Sequence, residues 1–367
     1  MTEREQALLA FNAWEGFHAR FVEEWSGRGM SPEEVLAAGS AHWEEMGLPE
    51  KCRGFLERIR EKGWQKREAN RADRLGVRLV FWGNPDYPCK LTDLSRPPVV
   101  LYAKGAWPPP ARVDGIVGTR RSSPYGTRMA REIAFRLGKE DVGVLSGGAL
   151  GIDGAAHGGA IEAGGMTLAV LGTGVDLCYP PEHESLFPRI AENGTLLSEF
   201  PLSTPGRSWR FPKRNRLIAA LADRLVVVEA PAKSGAIVTA KLAMEIGREV
   251  WVVPGRADEW VCKGSNRLLW DGAQPLVEID DLVRFPGAAQ AELFKPEGGN
   301  SSNVLEALRV FGDQTVDILA SQVKMSAADV LVELSRLEAF GMVRRSLSGR
   351  WSALPGQSVG ESGYPIR

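Results

Sequence analysis

Val142-Gly143-Val144-Leu145-Ser146-Gly147-Gly148-Ala149-Leu150-Gly151-Ile152-Asp153-Gly154-Ala155-Ala156-His157 reads as one strand, one glycine-rich turn and the start of one helix. The run from Val142 to Leu145 is short and has no polar alternation, the pattern of a strand buried on both faces. The same grammar repeats between residues 113 and 285. Its other apolar runs are Gly115-Ile-Val-Gly118, Thr167-Leu-Ala-Val-Leu171, Leu196-Leu197, Leu225-Val-Val-Val228 and Glu249-Val-Trp-Val-Val253, interspersed with glycine-rich turns and segments of helical period. Strand and helix in alternation require βαβ units and a sheet covered on both faces. The predicted fold class is therefore α/β, with a Rossmann-like central domain over 113–286 and a mostly parallel sheet.

Outward from that domain the composition changes. Residues 1–75 read as a small helical (SAM-like) domain. Ser31-Pro32-Glu33-Glu34 is a capping box with proline at the first helical position, predicting a helix that ends near Gly39. Phe11, Trp14, Phe17, Phe21 and Trp25 recur at helical spacing, as a core stripe does. Residues 76–112 carry Pro85, Pro88, Pro97, Pro98 and Pro108-Pro109-Pro110, and read as a connector. Residues 287–302 read as a linker. Within 303–355, three short helices (303–311, 314–322 and 326–340) and a hairpin around Ser348-Gly349 predict a winged-helix domain, with a tail at 356–367.

The chain has 367 residues, with 45 Lys and Arg against 46 Asp and Glu, a formal net charge of -1. Bulk charge will not draw such a molecule to a polyanion, so any nucleic-acid contact depends on local patches. No leader-like segment or long apolar run is present, which makes the cytoplasm the expected address and a membrane an unexpected partner. Cys52, Cys89, Cys178 and Cys262 lie too far apart in sequence for a metal-finger spacing and read as reduced and mostly structural.

One such patch is Gly206-Arg-Ser-Trp209-Arg-Phe211-Pro-Lys213-Arg214-Asn215-Arg216: five cations, no acid and two aromatics in eleven residues. Guanidinium and ammonium groups neutralise phosphates, and interleaved rings offer faces to unpaired bases. Trp209 and Phe211 are the candidate stacking residues. Lys213, Arg214 and Arg216 crowd the first turn of a helix starting near Pro212, where cations oppose the dipole, a cost that makes sense if an anion sits there.

Two strand-to-helix turns are candidate walls for the same site, because ligands of open α/β sheets bind outside the carboxyl ends of the strands. The first is Gly118-Thr119-Arg120-Arg121-Ser122-Ser123, with two guanidinium groups before a helix over 125–137. The second is the opening stretch, with Ser146, Gly147, Gly148 and Gly151. Asp153 and His157 stand at i,i+4 but have no third partner for a metal site or a catalytic triad, and read as a helix-capping carboxylate and a hydrogen-bonding imidazole. The glycines do not follow the dinucleotide pattern, so no cofactor is expected.

Taken together, the motifs resemble the DprA (Smf) DNA-processing family of natural transformation. The resemblance runs through V-G-T-R-R-S-S-x-Y-G (117–126), S-G-G-A-x-G-I-D-x-x-A-H-x-G-A (146–160) and A-G-G-x-T-x-A-V-L-G-T-G-x-D-x-x-Y-P (163–180). It continues through S-E-F-P (198–201), F-P-K-R-N-R-L-I-A-A-L (211–221), V-V-E-A-x-x-x-S-G-A-x-x-T-A (227–240), G-R-E-V-W-V-V-P-G (247–255) and G-S-N-R-L-L-W-D-G-A (264–273). It implies a non-enzymatic mediator that binds and protects incoming single-stranded DNA, forms a homodimer, loads RecA recombinase and displaces single-strand-binding protein. Carried over by motif, Arg120 and the cations of P-K-R-N-R are the expected DNA contacts, the turn from Gly147 to Asp153 the pocket wall, and Leu268, Leu269 and Trp270 the expected dimer surface.

The chain departs from the family at Ala220, where glycine is common. Its predicted recognition helix, 326–339, carries Asp329, Glu333 and Glu338 against Arg336, so duplex binding through it should be weak, with Arg344, Arg345 and Arg350 left on the wing. Two rivals are a Rossmann enzyme cleaving the N-glycosidic bond of nucleoside monophosphates, whose P-G-G-x-G-T-x-x-E glutamate is missing here, and a winged-helix regulator of duplex DNA.

Overall fold

The computed structural model describes residues 1–61, 63–283, 303–312, 314–339, 343–345 and 351–353. Met1–Val283 and Arg284–Arg367 form separate compact units.

The first unit is built on one nine-stranded sheet: β1 (Val77–Phe81), β2 (Val100–Gly105), β3 (Val113–Val117), β4 (Gly143–Ser146), β5 (Thr167–Val170), β6 (Gly194–Ser198), β7 (Arg224–Val227), β8 (Glu249–Val252) and β9 (Gln274–Pro275). Their order is β1-β2-β6-β5-β4-β3-β7-β8-β9. From β6 to β9 every neighbouring pair is parallel, while β1–β2 and β2–β6 are antiparallel. The sheet thus runs outward in one direction from β3 through β4, β5 and β6, and in the other from β7 through β8 and β9. The strand order reverses between β3 and β7, where a doubly wound sheet opens a crevice.

The helices are α1 (Glu3–Asn12), α2 (Ala19–Gly27), α3 (Pro32–Ala38), α4 (Ser40–Trp43), α5 (Glu50–Glu61), α6 (Trp64–Arg74), α7 (Pro124–Lys139), α8 (Ile152–Ala163), α9 (Leu186–Asn193), α10 (Arg210–Leu221), α11 (Gly235–Glu245), α12 (Lys263–Trp270) and α13 (Asp280–Val283). The capping box at Ser31 is formed, as is a second one at Thr2 and Glu5. Helices α7 and α8 approach so closely that a Cβ on Gly159 would lie 2.1 Å from the Arg131 carbonyl oxygen.

Two readings of the sequence change. The stretch 76–112 is more than a connector, since it supplies β1 and β2 at the sheet edge, where neighbouring strands tolerate proline-rich joints. The boundary expected near residue 75 falls inside one compact unit. Trp25, Phe11, Leu8 and Leu56 of the helical segment share a continuous buried core with Val100, Tyr102, Ala169 and Leu196 of the sheet. The aromatic stripe is part of that core: Phe11 and Phe17 stack at 4.7 Å and Phe17 and Phe21 at 5.2 Å. Asn12 donates to the Glu199 carbonyl, Leu202 N–H donates to Glu68, and Arg71 pairs with Asp176 at 2.8 Å, so polar ties cross the same seam.

In the second unit, helices Asn303–Phe311, Val316–Val323 and Ala327–Ala339 pack around Leu308, Leu319, Val330 and Leu334, and β10 (Val343–Arg345) pairs antiparallel with β11 (Trp351–Ala353). Glu333 pairs with Arg336 on the third helix. The predicted linker (287–302), the hairpin tip with Arg350 and the tail (356–367) lie outside the described residues.

Candidate nucleic-acid interface

At the switch point the loops after β3 and β7 part, and a cleft of about 720 Å³ opens between them. Its walls come from Gly118 to Arg121, from Ala149, from Phe211, Pro212, Arg214 and Asn215, and from Pro231 and Lys233 to Gly235 at the start of α11. A smaller recess of about 250 Å³ adjoins it, lined by Gly147, Gly148, Gly172, Tyr179 and Pro180. Arg120, Ala149, Phe211 and Arg214 belong to both.

The loop that carries the arginines is fixed from behind. Thr119 N–H donates to the Glu229 carbonyl at 2.6 Å, and the buried Glu229 carboxylate accepts from Ser123 N–H at 2.9 Å and from Ser123 Oγ at 2.6 Å. A side chain at Gly118 would strike Ile152 at 2.5 Å. Arg120 and Arg121 are exposed, and the Arg120 guanidinium lies 5.2 Å from the centre of the Phe211 ring. Phe211 is half-buried and stacks on Tyr179 at 5.2 Å with 26° between planes. It is therefore a wall of the cleft. Trp209 is 49% exposed beside the cleft, with the Arg210 guanidinium over its ring.

The basic run divides in a way its sequence does not announce. Arg210 is buried and pairs with Glu15, on the joint between α1 and α2. Lys213 donates to the Glu15 carbonyl, and burial lowers its pKa. Arg216 pairs with the buried Glu199 and donates to the Arg96 carbonyl at 2.9 Å. The anion that cations in the first turn of α10 call for is thus supplied by the protein itself, through two carboxylates distant in sequence. Of the cations expected on DNA, Lys213 is thus engaged with the helical segment, and Arg216 with Glu199 and the Arg96 carbonyl.

Arg214 lines the cleft but is likewise engaged within the protein. It is buried, and its guanidinium donates to the carbonyls of Gly147 and Val170, while its Nε donates to Asn215 Oδ1 at 3.1 Å. Burial lowers its pKa to about 10. Asp153 does not cap α8, whose N-cap is Gly151. Its buried carboxylate accepts from Gly147 N–H at 3.1 Å and Ala149 N–H at 3.3 Å, closing the glycine-rich turn. Burial raises its pKa, and the Arg214 charge opposes that rise. Gly147 lies between the two: a Cβ there would sit 2.5 Å from Arg214 and 2.7 Å from Asp153. Gly148 and Gly151 have φ of +68° and +75°, which a side chain would strain.

Ser146 and His157 leave the surface altogether. Ser146 donates to the Ile116 carbonyl at 2.6 Å, tying β4 to β3, and is fully buried. His157 Nδ1 sits 2.7 Å from Thr167 Oγ1, and desolvation pushes its pKa down to about 3. The sign follows: between about pH 6.5 and 3 the unfolded chain binds a proton that the native imidazole refuses, so His157 removes stability as pH falls through that window. A His157→Gln variant should lose this dependence, flattening the acid limb of a stability–pH curve by up to about 1.4 kcal/mol per pH unit, as urea titrations at pH 4, 5, 6 and 7 would read.

Of the expected dimer triplet, Leu268 is a core residue at 1% exposure, Leu269 packs half-buried against that core, and only Trp270, 80% exposed, faces solvent. Cys52 and Cys262 are buried and Cys89 and Cys178 exposed, all four as free thiols.

Sequence reasoning missed three cleft residues. Tyr179 is a fixed position of the motif 163–180 and Lys233 a variable one of the motif 227–240, and neither was singled out for a role. Trp260, a lone aromatic in the polar stretch Arg256-Ala-Asp-Glu-Trp260, is 56% exposed and lines the cleft. An aromatic with no apolar neighbour at core spacing is the signal that could have found it.

Fold and site together define a doubly wound α/β protein whose switch-point cleft presents guanidinium groups and stacked rings. A family profile described as DNA recombination-mediator protein A matches residues 78–286, more than half of the chain, and the protein belongs to that family. It is 40% identical over 277 residues to the putative DNA processing protein DprA of Mycobacterium tuberculosis, spanning 70% of this chain and 69% of that one. The crystal structure of DNA processing protein A from Streptococcus pneumoniae superposes with a TM-score of 0.66 at 28% identity, covering 78% of this chain and 98% of that one. DNA processing protein A from Helicobacter pylori, whose structure is described for its single-stranded DNA binding mode, gives a TM-score of 0.51 at 30% identity over 59% of this chain and 98% of that one.

Proposed function

We propose that this protein is a non-catalytic mediator that binds single-stranded DNA in the switch-point cleft, protects it during natural transformation, and loads RecA on it in place of single-strand-binding protein, working as a homodimer. The observation that carries the reading is the pairing, in one open cleft, of exposed Arg120, Arg121 and Lys233 with the Tyr179–Phe211 stack. Cations that track a backbone beside rings that receive bases are what sequence-tolerant single-strand binding needs. Membership of the DNA recombination-mediator family, and the single-stranded DNA binding mode of the Helicobacter pylori relative, support it. Trp270 supports a subunit contact at the end of α12. Among the described residues of the second unit, three helices and a two-stranded ribbon support the winged-helix reading, and the acids of the helix Ala327–Ala339 argue against strong duplex binding there.

Hydrolysis of a nucleotide has little support. A catalytic carboxylate must be free to meet its substrate, whereas Asp153 accepts from two backbone amides that close its own turn.

Fluorescence anisotropy of a labelled oligothymidylate, with unlabelled duplex as competitor, tests the reading. Binding should be tight and poorly displaced by duplex. Because the outward cations of the cleft are Arg120, Arg121 and Lys233, about three phosphates should be neutralised per protomer, giving a log–log salt slope of about -2. A slope near zero, a preference for duplex, or release of free base from AMP would each overturn it.

A further inference from the structure

The cleft has a far side that the arginines and the Tyr179–Phe211 stack do not account for. Beyond Pro231 and Lys233 it ends at Trp260, whose indole is 56% exposed. What sets it apart from other exposed rings such as Trp270 is its place on the wall of the cleft that also holds Lys233 and Arg120, where its face meets whatever the cleft binds.

The backbone beneath it is tightly built. The Asn266 side chain donates to the Gly255 carbonyl at 3.0 Å and accepts from Gly255 N–H at 3.1 Å, clipping the two ends of the excursion together. Gly264 N–H and Ser265 N–H both donate to the Ala230 carbonyl at 2.9 Å, docking the start of α12 on the loop after β7. A Cβ on Gly264 would lie 2.6 Å from the Pro231 carbonyl oxygen, so the approach leaves room for no other residue. Trp260 is thus an exposed ring on a fixed base, and the loop that fixes it also carries Lys233.

We infer that Trp260 is a second base-stacking platform, so that a bound single strand crosses the switch point from the Tyr179–Phe211 stack, past Lys233, to the indole. This rests on the single-strand reading above. Stacking is sequence-tolerant because every base has a π-face, and one platform typically changes affinity by about tenfold or more when truncated to alanine. The platform would lengthen the footprint and leave the inner part of the site unaltered.

The test compares wild type, Trp260→Ala, Trp260→Phe, Trp260→Leu and Arg120→Glu on a ladder of labelled oligothymidylates from two to about twenty nucleotides. The expected result is that Trp260→Ala weakens long oligonucleotides by about tenfold, leaves the shortest binders unchanged, and shifts the length at which affinity saturates downward. Trp260→Phe should recover most of the loss and Trp260→Leu little of it, because a ring face is required. Equal affinity of Trp260→Ala and wild type at every length, with Arg120→Glu still defective, would overturn this inference and leave the single-strand reading standing. Loss of dimerisation in Trp260→Ala by analytical ultracentrifugation, with unchanged DNA affinity, would assign the indole to a subunit contact and also overturn it. Failure of wild type to bind any oligonucleotide would instead remove the reading on which it rests.

Discussion

Replacing Arg120 by Glu is expected to lower affinity for an oligothymidylate by on the order of 100-fold at about 0.1 M salt, with an unchanged melting temperature. The loss combines a charge-assisted contact of about 1.5–3 kcal/mol with repulsion between the new carboxylate and the strand. Arg120 is exposed, with only the Phe211 ring beneath its guanidinium, so folding does not depend on its charge. Its backbone is held by neighbours that the substitution leaves alone, among them Glu229 on Thr119 and Ser123. Anisotropy and differential scanning calorimetry on the same preparation decide the matter. Unchanged affinity would move the strand out of this cleft.

Arg214 should behave in the opposite way, although it stands in the same basic run. Arg214→Ala is expected to cost about 3 kcal/mol or more and to lower Tm by roughly 10 °C, because two buried carbonyls lose their donor and the Asp153 carboxylate loses the charge that offsets its burial. Arg214→Lys should fall between, since an ammonium keeps the charge but cannot fork to the carbonyls of Gly147 and Val170. Calorimetry of the two variants beside Arg120→Glu would separate the roles. A native Tm in Arg214→Ala combined with lost binding would make Arg214 a ligand contact after all.

This contrast marks what can be read from the chain alone. The strands from β3 to β8 and the helices after them were legible because their signals are local: apolar runs, glycine turns and capping residues all act within a few positions. The edge strand β1 and its neighbour β2 were not, because the prolines around them spoke for a joint while β2 pairs with β6, far along the chain. The arginine loop Gly118–Ser123 and the glycine-rich turn were placed at the cleft by topology that the strand–helix alternation implies. Which cations face outward was not legible. Arg210 finds Glu15 across a separation of 195 residues, and Arg216 meets Glu199, the residue just past the end of β6. Composition counts five positive charges, whereas geometry decides which of them are already engaged.

The engagement of Glu15 with Arg210 and Lys213 bears on how such chains can diverge. A helical segment preceding the sheet would ordinarily be regarded as an exchangeable attachment. Here it carries the counter-charge for Arg210 on a helix of the sheet domain, so a segment exchanged for another must bring its own acid to that joint or meet an altered residue at 210. The two parts are therefore electrostatically interdependent, and changes on the helical surfaces that face away from the seam leave that dependence untouched.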